Sequence, residues 1–327
     1  MNYPIPPGTR DILPDEMREL RALSTALLGT FDRFGYGEVW TPTPEYENVL
    51  AKGDERAAGA SYRLFDEHGQ VLALRSDMTI PIARMVATRF DDQPGPLRLC
   101  YLSHAYRAVT PQRGQQREIL QAGLELVGVD APEGTIEVLE VLCAALDAAG
   151  LPRARIGLGD AGLYRGLLEG MGAGGNGAGA VLMALERHDF VDLEARVAGL
   201  GVSGKRRQTL IGVPQLRGGP EVLERAVELG GGDVRQATQR LRDVADGVKA
   251  RGLADRVIFD LGLVRDLGYY TGAIFEVYDP ALGHVIGAGG RYDDLIGRFG
   301  DPRPACGFAL FVERLHVAQA EEERRDG

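Results

Sequence analysis

One stretch, residues 106–125, limits the possible folds of this chain more than any other. An apolar strand closes on Arg107, a Pro-Gln-Arg-Gly turn (111–114) follows, and a second strand opens at Ile119. Along this second strand the aliphatic residues at 120, 122, 124 and 126 face one way, whereas Gln121, Gly123 and Glu125 face the other. The alternation predicts an antiparallel hairpin with one apolar face and one polar face.

The polar face of this hairpin has two interpretations, and the alternation alone favours neither. A glycine between an amide and a carboxylate leaves room for a small ligand near the backbone, and the carboxylate can accept hydrogen bonds from a cationic or N–H group. The same alternation is equally typical of a hairpin whose polar face meets solvent.

Composition excludes several classes of protein. The 327 residues are 44% hydrophobic and 26% charged, as in a globular protein, and the formal net charge of −10 argues against an extensive nucleic-acid surface. The three cysteines are far apart and suit buried thiols better than disulfides or metal ligands. Because no targeting signal and no apolar run of membrane-spanning length occurs, we expect a cytoplasmic protein without a membrane span or a metal site.

The remaining pattern predicts an α+β fold, in which helices flank a sheet of antiparallel hairpins. Asp15 is expected to cap the first long helix, and Gly289–Asp293 to start a late one. Between about Tyr164 and Asp255 the pattern is only helical, which predicts a helical insertion (164–255) within a core spanning 1–327. Further strands are expected at 38–41, 69–74, 155–159, 257–261, 273–278, 284–287 and 305–310.

Two features of the expected insertion have simple structural explanations. The glycine-rich stretch 170–179 lacks the Gly-Lys-Ser/Thr signature of a phosphate loop, so it is interpreted as a flexible connection. The apolar residues from Val234 to Val248 recur at alternating spacings of three and four, which predicts a helix that packs within the chain.

A polar turn at 75–79 (Arg-Ser-Asp-Met-Thr) precedes another expected helix. Asp77 and Thr79 lie where a helix N-terminus is expected, and capping of that helix is the simpler explanation of both. A contribution to a ligand site is the alternative.

Several motifs in order resemble those of the histidyl-tRNA synthetases. The hairpin with Arg107, Gln121 and Glu125 looks like motif 2, and the stretch 263–270 resembles the histidine-specific loop. The residues from Gly289 to Arg314 resemble motif 3. Pro-Gly-Thr-Arg-Asp (7–11) and Thr-Pro (41–42) with Glu45 match the N-terminal signature and the dimer-forming motif 1. The resemblance implies a class II synthetase-like antiparallel sheet flanked by helices.

Departures from the synthetase pattern point to a non-catalytic relative. Val109 stands where the synthetases have a glutamate that contacts the adenine of ATP, and Gly268 stands where they have an aspartate. The chain ends soon after motif 3, so we expect no C-terminal anticodon-binding domain. This combination resembles the family of ATP phosphoribosyltransferase regulatory subunits.

That resemblance implies a function and a set of partners. The family joins a short-form ATP phosphoribosyltransferase catalytic subunit at the first step of histidine biosynthesis, is required for its full activity, and confers feedback inhibition by L-histidine. We therefore expect a regulatory subunit without catalytic residues or cofactor, and without tRNA as a partner. The expected assembly is a homodimer through the region around Pro42 within a hetero-oligomer.

The family match also assigns expected contacts to a bound histidine. Asp77, Thr79 and Gln121 are expected to hold the ammonium group, because they are rich in acceptors. Glu125 and the hydroxyls of Tyr269 or Tyr270 are expected to pair with the imidazole nitrogens.

Arg107 and Arg265 are the expected partners of the ligand's carboxylate, since a guanidinium can bind it bidentately. Arg314 matches a synthetase arginine that contacts ATP, and is interpreted as a relic or as part of an effector site. The loop 262–272, which is bounded by glycines, is the expected closing element.

Two other functions remain open from the sequence. One is a histidine-activating enzyme, either a synthetase core or an amino-acid ligase, because Arg107, Arg265 and Arg314 are retained. The other is an assembly scaffold with a vestigial pocket.

Overall fold

The computed structural model describes residues 3–55, 59, 61–108, 116–172, 176–202, 204–265 and 268–326. The strands are β1 (Gly37–Glu38), β2 (Pro44–Tyr46), β3 (Arg63–Phe65), β4 (Val71–Leu74), β5 (Leu97–Tyr106), β6 (Glu118–Val127), β7 (Arg155–Asp160), β8 (Arg217–Gly218), β9 (Val257–Asp260), β10 (Ala273–Tyr278), β11 (Val285–Arg291) and β12 (Ala305–Phe311). The α-helices are α1 (Pro14–Arg33), α2 (Glu47–Gly53), α3 (Thr79–Arg89), α4 (Glu133–Ala148), α5 (Ala161–Gly170), α6 (Asn176–Glu186), α7 (Phe190–Gly199), α8 (Gly204–Gly212), α9 (Glu221–Gly230), α10 (Gly232–Ala250) and α11 (Val312–Asp326).

Most strands form one nine-stranded sheet in the order β1-β5-β6-β12-β11-β10-β7-β9-β8. Neighbouring strands are antiparallel along the run β5-β6-β12-β11-β10-β7. The pair of β1 with β5 and the pair of β7 with β9 are parallel. The predicted α+β architecture is confirmed, with β5 and β6 as its longest hairpin.

The two faces of this sheet carry different apolar cores. The even-numbered residues of β6, such as Leu124 and Leu126, are fully buried together with Leu27 of α1 and Leu139 of α4. The odd-numbered face of β6 lies on the side of a second core, which includes Ile80 of α3 and the aromatic residues Tyr269, Tyr270 and Tyr292. The period of two in the sequence therefore separates a packing face from a face that holds polar groups.

Two glycines allow the second face to hold bulky side chains. A Cβ on Gly307 would lie 2.0 Å from Oε2 of Glu125, which is the residue opposite it on the neighbouring strand. A Cβ on Gly290 would lie 2.7 Å from the ring of Tyr270. Any side chain at these positions would fill the space that Glu125 and Tyr270 occupy.

Two predicted helix starts are wrong in detail. The first helix begins at Pro14 after Leu13, without a side-chain cap, because proline suits the first helical position. Gly289–Asp293 does not start a helix: β11 continues to Arg291, since the register with β12 runs from Gly287 to Arg291. A short 3₁₀ turn, Ile296–Arg298, follows instead.

The segment between β7 and β9 is mostly helical, from α5 to α10. The apolar residues of α10, from Val234 to Val248, are buried within the chain as predicted. The expected flexible connection at 170–179 is wrong at its end, because Asn176–Gly179 already belongs to α6. The segment is also not purely helical, since β8 pairs with β9 at the edge of the central sheet.

This helical segment is joined to the sheet by an ion pair between a half-buried arginine and a buried aspartate. Arg240 of α10 donates to both carboxylate oxygens of Asp160 at distances of 2.7 and 2.8 Å, and Asp160 also accepts from the backbone N–H of Gly162. Asp160 is therefore the last residue of β7, and its carboxylate both caps the N-terminus of α5 and binds α10.

A smaller three-stranded sheet, β2-β4-β3, precedes α3. The fully buried Arg75 follows it and donates to the backbone oxygens of Thr41 (2.6 Å) and Pro42 (2.9 Å) and to that of His104 in β5 (2.9 Å). The three cysteines are buried thiols, as predicted. None of the helices in the described part of the chain is both long and apolar enough to cross a membrane.

Candidate functional site

The candidate site is a cavity against the odd-numbered face of β6. Together with its mouth, which is open to solvent, it contains about 440 Å³ of empty space. Its walls come from β6, β11, β12, the start of α3 and the residues after β9. Nearly all the side chains expected to bind a ligand line it: Asp77, Thr79, Arg107, Gln121, Arg265, Tyr269 and Tyr270.

Glu125 lies in the wall just behind these residues. It is only 2% exposed, accepts a 2.8 Å hydrogen bond from Oγ1 of Thr79, and accepts a second one from the hydroxyl of Tyr292. Burial raises the pKa of Glu125 to about 8, against the opposing effect of these two hydrogen bonds. The carboxyl group is therefore mainly protonated at neutral pH and can donate as well as accept a hydrogen bond.

Gln121 shows that this face does not meet solvent. Its side chain lines the cavity and is 2% exposed, and its Oε1 has no hydrogen-bond partner among the described residues. The interpretation of the polar face as a solvent face is therefore wrong. A buried acceptor without a partner has a free-energy cost of about 1–3 kcal/mol, which a ligand with an N–H group would remove.

Asp77 and Thr79 combine capping with a place in the cavity. Oδ1 of Asp77 accepts from the backbone N–H of Ile80 at 3.0 Å, so the simple capping role is present. Burial raises the pKa of Asp77, and the backbone hydrogen bond and the nearby Arg107 oppose that rise. Thr79 is the first residue of α3, and its hydroxyl donates to Glu125 instead of capping the helix.

The two arginines of the cavity bring positive charge to it. Burial lowers the pKa of Arg107, and repulsion from Arg265 lowers it further, whereas Asp77 raises it. Arg265 donates to Glu276 of β10 at 2.6 Å. Burial lowers the pKa of Arg265, but the neighbouring tyrosines and Glu276 outweigh this effect, so the pKa is raised overall. An anionic group bound beside Arg107 would relieve this repulsion.

Three tyrosines form the aromatic wall of the cavity. The ring centroids of Tyr269 and Tyr270 lie 5.0 Å apart, and those of Tyr269 and Tyr292 lie 5.7 Å apart. Burial raises the pKa of Tyr270 to about 12 and raises the pKa values of Tyr269 and Tyr292 well above their usual range, so all three hydroxyls stay protonated. Tyr292, which fixes Glu125, was not among the expected site residues. The sequence feature that could have identified Tyr292 is its position in the Gly-Gly-Arg-Tyr-Asp stretch that resembles motif 3.

Arg314 does not line this cavity. Its guanidinium donates to the backbone oxygen of Val285 at 2.6 Å and lies 4.9 Å from the centre of the Phe311 ring. Val109 and the turn 111–114 lie outside the described residues, as do Asp266 and Leu267 of the expected closing loop. Gly268 is exposed, and its backbone oxygen accepts from Arg298 at 3.0 Å.

This arrangement can bind a small zwitterion. Acceptors (Asp77, Gln121) line the cavity, guanidinium groups (Arg107, Arg265) supply N–H donors, and Glu125 offers a carboxyl group that can give or take a proton. Within the described residues, no group of three or more His, Cys, Asp or Glu side chains is placed to hold a metal ion.

Comparison with known proteins places the chain in a family. The family model for histidyl-tRNA synthetase matches residues 8–315. An ATP phosphoribosyltransferase regulatory subunit from Symbiobacterium thermophilum is 43% identical over 322 residues, which cover 97% of this chain and 80% of the relative.

Two solved structures are similar over almost the whole chain. An ATP phosphoribosyltransferase regulatory subunit/histidyl-tRNA synthetase from Bacillus halodurans has a TM-score of 0.90 at 32% identity and matches 98% of this chain and 84% of its own. A histidine–tRNA ligase subunit from Alicyclobacillus acidocaldarius has a TM-score of 0.86 at 32% identity and matches 100% and 99% of the two chains. The chain belongs to the ATP phosphoribosyltransferase regulatory subunits, which share the histidyl-tRNA synthetase fold.

Proposed function

We propose that this chain is a non-catalytic regulatory subunit that a short-form ATP phosphoribosyltransferase catalytic subunit needs for activity, and that it carries feedback inhibition by L-histidine. The observation that supports histidine as the ligand is the buried pair of Gln121 and Glu125. One has an acceptor without a partner, and the other has a carboxyl group that stays protonated near neutral pH.

In the proposed complex each polar group of histidine meets a group of matching chemistry. Asp77, Thr79 and Gln121 accept from the ammonium group, and Arg107 and Arg265 donate to the carboxylate. The imidazole nitrogens pair with Glu125 and with the hydroxyl of Tyr269 or Tyr270. An apolar isostere of histidine would leave these buried groups unpaired, so the site would discriminate strongly against it.

The quaternary part of the proposal follows the same family relationship. The chain would act in the cytoplasm, as a homodimer formed around Pro42 inside a hetero-oligomer with the catalytic subunit, and without tRNA. Residues 164–255 would form an insertion in the synthetase-like core. Histidine would inhibit by binding one quaternary state more tightly than the other, with a coupling free energy of about 1–3 kcal/mol.

Co-purification with a short-form ATP phosphoribosyltransferase, followed by activity assays with and without histidine, tests this function. We expect a stable complex whose activity exceeds that of the catalytic subunit alone and falls when histidine is added. A catalytic subunit that is equally active with and without this chain would contradict the proposal.

A single substitution tests the site itself. Glu125→Gln keeps the shape of the side chain but cannot become a carboxylate beside an imidazolium, so we expect inhibition by histidine to be lost while the complex still assembles. Glu118→Gln is the matched control, because it is the same change in the same strand on the opposite face. Normal inhibition of the Glu125→Gln complex would argue against histidine binding at this cavity.

A histidine-activating enzyme is the second candidate, because Arg107 and Arg265 both line the cavity. Histidine-dependent exchange of pyrophosphate into ATP by the purified chain would establish that activity and overturn the regulatory proposal. Calorimetry with histidine separates the regulatory subunit from a scaffold with a vestigial pocket, since a scaffold would release or absorb no binding heat.

A further inference from the structure

A second cavity shares one arginine with the candidate site. It contains about 760 Å³ of empty space including its mouth, and it lies between α5, α6 and the residues that follow β9. Arg265 lines both this cavity and the candidate site. A ligand that binds Arg265 in one cavity therefore changes the hydrogen-bond donors that Arg265 can offer in the other cavity.

Most of the wall of this second cavity is apolar. Leu182 and Met183 of α6 line it, and so does Val264 after β9. Tyr164 also lines it. Because the Tyr164 hydroxyl donates to the backbone oxygen of Leu210 at 2.5 Å, the aromatic ring is the part of this side chain that lines the cavity. A ligand that fits this wall needs an apolar body.

The polar groups of the cavity define the rest of the ligand. Arg265 uses one guanidinium nitrogen for Glu276, and its other N–H groups have no hydrogen-bond partner in the described part of the chain. Arg165 adds a second guanidinium group, and Glu186 adds a carboxylate. Two arginines at one apolar cavity match a carboxylate, because a guanidinium can bind it bidentately.

We propose that this cavity binds a small carboxylate with an aliphatic body, and that this ligand and histidine weaken each other's binding through Arg265. The second half of the proposal rests on the proposed histidine site, whereas the first half does not. Antagonism is expected because two carboxylates would compete for one guanidinium group that already pairs with Glu276.

Calorimetry without histidine tests the cavity, with three probes that share one branched aliphatic body. These are 4-methylpentanoate, L-leucine, which adds an ammonium group to the same acid, and 3-methylbutylamine, which lacks the carboxylate. We expect the two carboxylates to bind and the amine not to bind. Tighter binding of leucine identifies an amino acid as the source, and tighter binding of the plain acid identifies a simple carboxylic acid. Saturable binding of the amine as tight as that of the acids, or no binding of any probe, would overturn the proposal.

Two variants locate the binding. A Cβ added to Gly179 in α6 meets no atom within 4 Å, so Gly179→Leu has room to enter the cavity and should weaken binding of the acids at least about tenfold. Gly29→Leu in α1 is the matched control, because its Cβ also meets no atom and it lies away from the cavity. Arg165→Glu should have a similar effect, whereas Arg165→Lys should keep most of the affinity. Unchanged binding in both Gly179→Leu and Arg165→Glu would refute the location.

The antagonism has its own readout. Saturating histidine should raise the dissociation constant of 4-methylpentanoate at least about fivefold in the wild-type chain, and the acid should weaken histidine by the same factor. Equal affinity with and without bound histidine would refute the coupling through Arg265. A wild-type chain that does not bind histidine would refute the proposed function. Calorimetry with the acid alone would still test whether the second cavity binds a carboxylate.

Discussion

Glu125 illustrates how the chemistry of one residue depends on its surroundings. An exposed glutamate has a pKa near 4.5, but burial raises the pKa of this one to about 8, although the hydrogen bonds from Tyr292 and Thr79 act to lower it. A protonated Glu125 and a neutral imidazole contain the same number of protons as a carboxylate beside an imidazolium. Histidine can therefore bind near neutral pH without a net exchange of protons at this pair.

This proton count predicts the pH dependence of histidine binding. Above about pH 8 the free site loses the Glu125 proton, so binding must take one up, and the affinity should fall by up to tenfold per pH unit. Below about pH 6.5 free imidazole gains a proton of its own, which also disfavours binding. Calorimetric titrations from pH 6 to 9 measure this, and an affinity that stays constant from pH 8 to 9 would contradict the assignment.

The same pKa predicts a pH-dependent effect on stability. Below about pH 4.5 Glu125 is protonated in both the folded and the unfolded chain, so its ionisation contributes nothing. Between that value and about pH 8 only the unfolded chain loses the proton, which lowers the free energy of unfolding by up to about 1.4 kcal/mol per pH unit. Relative to wild type, Glu125→Gln should therefore gain stability as the pH rises from 5 to 8. Urea unfolding of both proteins at several pH values measures the difference, and a constant difference would show that Glu125 ionises normally.

At the scale of elements, Arg75 connects the small sheet to the candidate site. Its guanidinium binds the backbone oxygens of residues 41, 42 and 104 and the hydroxyl of Ser103, and it stands two residues before Asp77. The chain's single tryptophan, Trp40, is 83% exposed directly before this anchored segment. The anchor thus joins β4, β5 and the turn after β1.

Loss of this anchor should be severe. Arg75→Ala would leave several buried acceptors without partners, so we expect a loss of about 3 kcal/mol or more in the free energy of unfolding. Urea unfolding followed by far-UV circular dichroism measures it, with Arg63→Ala in the exposed strand β3 as control. A loss no larger than that of the Arg63→Ala control would show that Arg75 does not anchor the segment 41–42.

At the scale of the whole molecule, the helical segment is fixed to the sheet by the ion pair of Asp160 and Arg240. The second cavity lies between this segment and the candidate site, so the position of α5 and α6 affects Arg265. We expect Asp160→Asn to cost about 1.5–3 kcal/mol in the free energy of unfolding, because it removes the charged partner of the half-buried Arg240.

Asp192→Asn is the control for that change, because its ion pair with Arg196 lies within one exposed turn of α7. Both variants are compared by thermal unfolding. A melting temperature of Asp160→Asn equal to that of the control would mean that the helical segment is held by apolar packing alone.

The sequence by itself determined the hairpin of β5 and β6, the α+β class and most of the side chains that line the candidate cavity. The hairpin and its two faces follow from the period of two along a strand, which is local: the face that a residue occupies follows from its position in the strand. Most of the cavity side chains, such as Asp77, Arg107 and Arg265, were instead assigned through the resemblance to the histidyl-tRNA synthetases. The wrong predictions at Asp15 and Gly289–Asp293 also concern local signals, where proline and strand pairing prevailed over capping patterns.

Only the tertiary structure decided that the polar face of β6 is buried and that Glu125 stays protonated. Tyr292 lies 167 positions from Glu125 in the chain, and the register of β6, β12 and β11 brings the two together. The same packing places the guanidinium group of Arg314 against the backbone oxygen of Val285 and the ring of Phe311. Burial and pKa depend on neighbours from distant segments, and these neighbours are assembled by strand register, which no local pattern specifies.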